Sequence, residues 1–172
     1  MNRRRFFQLL SSVASMAVAA FLTIPGVGFL LDPLSRRGTK AKSYPLVKVG
    51  DLEAGLPRKI AITDQRTDAW TRYPEGAIGA VWIVRGEDGQ VTAFSSICPH
   101  LGCQISYVPG DDEYFCPCHT ATYFADGAVG KGPQLRGLDT LKTEIKPFKG
   151  DDWVHVTHEK FKRGTEEKIP LE

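Results

Sequence analysis

The chain opens on one long apolar run and then changes to short alternating segments. No charged residue occurs from Phe6 to Leu31, and Asp32 closes the run. A helix needs about 20 apolar residues to cross a bilayer core. The stretch therefore predicts a spanning helix, with residues 11–31 as the anchor and residues 1–10 ahead of it on the cytoplasmic side. Pro25, Gly26 and Gly28 interrupt the run, which spanning helices tolerate better than soluble ones. A buried core helix is the competing assignment, and the length of the run and its lack of a polar face weigh against it.

From Pro45 onward the pattern shortens. Leu46-Val47-Lys48-Val49, Lys59-Ile60-Ala61-Ile62 and Ala80-Val81-Trp82-Ile83-Val84 have strand composition. Gly86-Glu87-Asp88-Gly89 reads as a hairpin turn into Val91-Thr92-Ala93-Phe94. Asp126-Gly127 marks another turn, and Lys142 to Phe148 and Trp153 to Thr157 read as closing strands. Short strands separated by turns predict an all-β sandwich or barrel-like domain over residues 45–172, with residues 93–133 inserted into it. Between anchor and domain, residues 32–44 are rich in Ser, Gly, Lys and Arg and read as a flexible tether. Trp70 and Tyr73 are expected in packing, His155 and His158 as surface or structural histidines, and Glu159 to Glu172 as a charged, solvated tail.

At 172 residues there is room for one domain and an appendage. A net charge of +2 is too small to argue for nucleic acid. All four cysteines fall between positions 98 and 118, which reads as a site and not as a disulfide scaffold.

That site consists of two loops. One is Cys98-Pro99-His100-Leu101-Gly102-Cys103, the other Cys116-Pro117-Cys118-His119. Each offers a thiol and an imidazole and carries a second cysteine. Thiolates with imidazoles suit zinc, iron or copper. A single zinc takes four of the six candidates and leaves the doubled pattern unexplained. A two-iron cluster with two thiolates on one iron and two imidazoles on the other accounts for it better.

The paired loops resemble those of the Rieske iron–sulfur proteins. The resemblance implies a [2Fe–2S] cluster held by Cys98, His100, Cys116 and His119, with Cys103 and Cys118 as a disulfide clamping the loops. It implies further that Leu101 and Gly132-Pro133 shield the cluster, and that the Tyr123 hydroxyl bonds a ligand thiolate. Many high-potential members continue Cys-Pro-Cys-His-Gly-Ser-x-Tyr, whereas this chain has Thr120-Ala121-Thr122-Tyr123 after His119. The serine bond to sulfur is then missing, which lowers the potential, unless Thr120 or Thr122 supplies a donor. Asn2-Arg3-Arg4-Arg5-Phe6-Phe7 resembles a twin-arginine signal. Ala17-Val18-Ala19 matches a cleavage site, but cutting there leaves an apolar stump, so an uncleaved anchor is expected.

Arg3 to Arg5 precede the span, while Arg36, Arg37, Lys40 and Lys42 follow it. Loop charge therefore leaves orientation open. A Cys103–Cys118 disulfide requires an oxidising compartment and puts the domain outside the cytoplasmic membrane. Leu31-Asp32-Pro33-Leu34, Thr67-Asp68-Ala69-Trp70 and Ala80 to Val84 look like the Rieske subunits of Gram-positive menaquinol:cytochrome c reductases. The resemblance thus implies a redox subunit, catalytic only within its complex, with a cytochrome b subunit, quinol, a cytochrome c and membrane lipid as partners. The small Rieske subunit of a periplasmic molybdenum oxidase, such as an arsenite oxidase, and a structural zinc module are the competing readings.

Overall fold

The computed structural model describes residues 2–35, 41–67 and 71–171. The chain divides into an N-terminal unit and a larger one spanning Lys40–Leu171. The first is a single helix, α1 (Arg3–Ser35). Residues Arg3–Asp32 of it are long and apolar enough to cross a membrane, and none of that apolar window is buried by protein. Its 33 residues span about 50 Å at about 1.5 Å per residue. Two of its hydroxyls are satisfied within the helix: Ser11 Oγ donates to Gln8 O and Thr23 Oγ1 to Ala19 O. Neither therefore carries an unmet donor into the apolar run.

The second unit is antiparallel β. In chain order it contains β1 (Lys42–Lys48), a 3₁₀ turn (Val49–Asp51), β2 (Arg58–Thr67), β3 (Arg72–Arg85), β4 (Val91–Ser95), β5 (Ser106–Val108), β6 (Glu113–Cys116), β7 (Ala121–Phe124), β8 (Thr140–Leu141), β9 (Thr143–Phe148) and β10 (Asp151–His158). These form three sheets, in the orders β1-β10-β9, β2-β3-β4-β8 and β5-β6-β7. The expected strands are all present, and the third sheet, with its three- and four-residue strands, is additional.

Side-chain alternation on β3 and β4 divides the interior into two cores. Val81, Ile83 and Ala93 point to one side and join Val47, Ile62, Leu141, Val154, Val156 and Phe161. Trp82 and Phe94 point to the other side and join Ile105, Tyr114, Tyr123 and Leu138. The second core also contains Cys98 and Cys116. Strands β3 and β4 are thus the shared wall on which the third sheet and both cysteine loops are mounted. Trp82 packs edge-on against Tyr114, with centroids 5.7 Å apart, and its Nε1 donates to Ile105 O at 3.4 Å.

Two expectations need correction. Of the expected tether, residues 32–35 are helical, since α1 runs to Ser35, and residues 42–44 are strand, since β1 begins at Lys42. Lys42, Ser43 and Tyr44 are recruited into the sheet by pairing with His158, Thr157 and Val156. Arg36, Arg37, Lys40 and the Asp68-Ala69-Trp70 stretch lie outside the described residues. The C-terminal tail is charged and mostly exposed, as expected, but it is ordered against the domain. Phe161 is buried in the first core, Phe161 and Pro170 form a β-bridge, and backbone bonds join Lys162 to Ile169 and Leu171 to Lys160.

Candidate metal centre

The first cysteine loop leaves β4 and is tied to the wall at once. Ser96 is fully buried and donates to Ala80 O through both its amide and its hydroxyl. The loop closes on itself through an Ile97–Gln104 bridge, Cys98 N to Cys103 O at 2.8 Å and Gly102 N to Cys98 O at 2.9 Å. Gly102 sits at φ +88°, where L side chains are strained.

The second loop is the hairpin connection from β6 to β7, with Cys116 paired in register with Ala121. Thr120 makes that turn at φ +54°. On β7, Ala121 and Tyr123 face the second core, fully buried, while Thr122 faces outward. The strand is held from outside by Gln134, whose amide donates to Thr122 O and Lys131 O, both at 2.9 Å. Gly132 leaves room for that amide, since a Cβ there would stand 2.4 Å from Gln134 Oε1 and 2.7 Å from Ala121 Cα.

The two loops meet. Cys103 and Cys118 are joined by a disulfide with Cα atoms 6.5 Å apart. Cys98 and Cys116 are free thiols, 1% and 2% exposed. The His100 and His119 rings approach each other edge-to-face, with centroids 4.8 Å apart. His119 is exposed and His100 half-buried. The Cys116 sulfur lies within 4.8 Å of both disulfide sulfurs. Those two have no thiolate to offer, which leaves two thiols and two imidazoles as donors. Burial pushes the Cys116 thiol up in pKa. The Cys118 amide opposes that rise, the adjoining Cys98 thiol adds to it, and the His119 amide opposes it.

The Tyr123 hydroxyl is 3.1 Å from Cys98 Sγ, and its pKa is raised by burial and then by that thiol. Thr120 Oγ1 donates to its neighbour His119 O at 2.7 Å, and Thr122 Oγ1 accepts from Lys131 N at 2.9 Å. Thr120 is thus committed as a donor, and Thr122 faces away from the core that holds Cys98 and Cys116. Leu101 is 59% exposed at the loop tip, and Pro133 is exposed as well. His155 is not part of the site; its ring packs on Phe148, with centroids 6.2 Å apart. His158 packs against Gly79, where a Cβ would stand 2.8 Å from the ring, and burial lowers its pKa.

Sequence reasoning missed Ser96, Gln134 and the tail. Gly132-Pro133 next to Gln134 marks a sharp turn, but nothing in the sequence says which carbonyls the amide reaches.

The Rieske [2Fe-2S] domain family matches residues 42–142. The menaquinol:cytochrome c reductase iron–sulfur subunit of Bacillus subtilis (strain 168) is 30% identical over 149 residues, covering 84% of this chain and 87% of that one. The cytochrome b6-f complex iron–sulfur subunit of Chlorobaculum thiosulfatiphilum is 44% identical over 145 residues, covering 84% and 71%. Among solved structures, the cyanobacterial plasma membrane Rieske protein PetC3 from Synechocystis PCC 6803 is 29% identical, with a TM-score of 0.41, and covers 58% of this chain and 86% of that chain.

Proposed function

Because the chain belongs to the Rieske [2Fe–2S] family, we propose that it is the electron-transfer subunit of a membrane quinol:cytochrome c oxidoreductase, anchored by α1 with its β domain outside the cytoplasmic membrane. The observations that carry this reading are two adjoining pairs of donors on two loops joined by a disulfide. Cys98 and Cys116 are buried free thiols, the His100 and His119 rings are 4.8 Å apart, and a disulfide ties the loops that bear them. The donor set fits the cluster: Cys98 and Cys116 would hold one iron and His100 and His119 the other. When bound, the cluster supplies a one-electron acceptor.

The chain's own residues do the rest. His119, exposed, and His100, half-buried, face solvent, so an imidazole there accepts a hydrogen bond from a quinol hydroxyl and takes up its proton. The exposed Leu101 gives the quinol ring an apolar contact beside the imidazoles. The buried thiols keep water from the sulfur side. The disulfide holds the two loops at fixed separation, which keeps both imidazoles on one face. Tyr123 donates to the Cys98 sulfur.

Menaquinol is the favoured substrate, because Ala121 offers no hydroxyl and both neighbouring threonines are engaged elsewhere. A lower potential suits that stronger reductant. The first quinol electron then goes to a cytochrome c and the proton is released outside, while the second quinol electron goes to the cytochrome b subunit. The twin-arginine reading of Arg3-Arg4 accords with export of a folded domain.

Affinity purification of the full chain from detergent-solubilised membranes tests the assignment. A co-purifying subunit with b-type haem is expected. A molybdenum-containing large subunit in its place overturns it in favour of the oxidase reading.

A further inference from the structure

The C-terminal tail, which neither metal-binding motif includes, lies against the back of the first cluster loop. Gly164 N donates to Pro99 O at 2.9 Å, in the residue before His100. The Arg163 guanidinium lies flat on Gly102: a Cβ built there would stand 2.4 Å from Cζ, 2.5 Å from Nε and 2.6 Å from Nη1. Gly102 thus leaves the space the guanidinium occupies, and its backbone angle is what favours glycine. Arg163 also lines one cavity with Cys98 and Pro99.

The tail is anchored firmly. Phe161 is buried in the first core, and Lys168 sits over its ring, 4.6 Å from the centroid. Arg136 is the second anchor. Its guanidinium forks onto Asp139, with both bonds at 2.9 Å, and donates to Thr165 O at 2.6 Å and Lys162 O at 2.8 Å. Arg136 and Asp139 side chains are only 9% and 6% exposed. A buried fork of this kind fixes geometry as well as charge. Asp139 in turn accepts Ser95 N through its carbonyl at the base of the loop. Loop and tail are therefore built from one hydrogen-bonded frame.

We infer that residues 161–165 form a strap that positions the His100 loop, and that Arg163 is a positioning residue whose fixed charge favours the reduced cluster. Among the described residues no carboxylate pairs with Arg163. The cavity it shares with Cys98 and Pro99 is also lined by Glu159 and by Asp139, the latter already held by Arg136. Net charge near a cluster is one of the determinants of its potential. An added electron is stabilised by a cation held against the ligand loop, and Arg cannot lose that charge by deprotonation. The inference rests on the cluster assignment above.

Its test uses the full chain in detergent with cluster loaded. Arg163→Met keeps the aliphatic stem and removes the charge, and Arg163→Lys keeps the charge without the planar fork. The expected result is two irons per chain in both variants, a lower midpoint potential in Arg163→Met, and recovery of most of that shift in Arg163→Lys. Hydrogen exchange of the peptide covering residues 98–103 is expected to quicken in Arg163→Met, with or without iron. An iron-replete Arg163→Met with unmoved potential and unmoved exchange overturns the inference alone. A wild-type chain that binds no iron overturns the cluster assignment and this inference with it.

Discussion

Replacing Tyr123 by Phe removes one oxygen from a fully buried ring whose hydroxyl is 3.1 Å from Cys98 Sγ. The ring remains packed on β7, so the change isolates a single hydrogen bond. A bond to a charged acceptor is worth roughly 1.5–3 kcal/mol. Only the part that differs between oxidised and reduced states moves the potential. The reduced cluster is the more negative partner and gains more from the donor, so its loss favours oxidation. A differential of about 1.4 kcal/mol corresponds to about 59 mV for a one-electron couple. Protein-film voltammetry of the Tyr123→Phe chain is therefore expected to show a midpoint several tens of millivolts below wild type, with iron content intact. An unmoved or raised midpoint refutes the reasoning, because it means that the hydroxyl does not favour the reduced state.

Ala121→Ser is the opposite experiment on the same strand. A hydroxyl cross-strand from Cys116 is expected to raise the midpoint by a comparable amount, and no rise removes the main physical support for menaquinol. Cys103→Ser opens the disulfide and is expected to cost about 2–5 kcal/mol, seen as cluster loss on mild heating; an unchanged bleaching temperature contradicts the clamp. His100→Ala and His119→Ala are each expected to abolish iron binding, read by metal analysis, and a variant that retains two irons strikes that residue from the ligand set. The Asp64 carboxyl, held by Lys42 first and then Tyr44 and the Gln65 amide, titrates at about 2 against an ordinary 3.8. A depressed pKa gives stability present above the unfolded value and lost as pH falls from about 4 toward 2. Asp64→Asn is expected to flatten the acid unfolding curve in that window, and an Asp64 pKa near 3.8 by NMR contradicts it.

The spanning helix and the major strands were legible because their signals are periodic and local. An uncharged run from Phe6 to Leu31 and alternation around Val81, Trp82 and Ile83 need no tertiary information. Both metal-binding motifs were legible because each is contiguous in the chain. The β5-β6-β7 sheet was not, since strands of three and four residues carry too few alternations to register. The tail was misread for a different reason. Glu159 to Glu172 is charged in composition, and its order comes from Arg136, a residue more than twenty positions earlier whose partners are mostly backbone carbonyls. Gln134 is hidden in the same way, because carbonyl partners leave no trace in side-chain identity. The boundary of the tether moved because Lys42 and Tyr44 close on Asp64 of β2, a pairing separated by some twenty residues.

The central claim is that this chain takes an electron and a proton from quinol at the imidazole face and passes the electron to a cytochrome c. The most direct measurement is to add a reduced menaquinone analogue to the membrane complex isolated through this chain, and to follow the reduced-cluster EPR signal together with cytochrome c absorbance. The account expects the mixed nitrogen–sulfur signal to appear and cytochrome c to be reduced, both lost in His119→Ala. A signal that chemical reductant produces and quinol does not would contradict it.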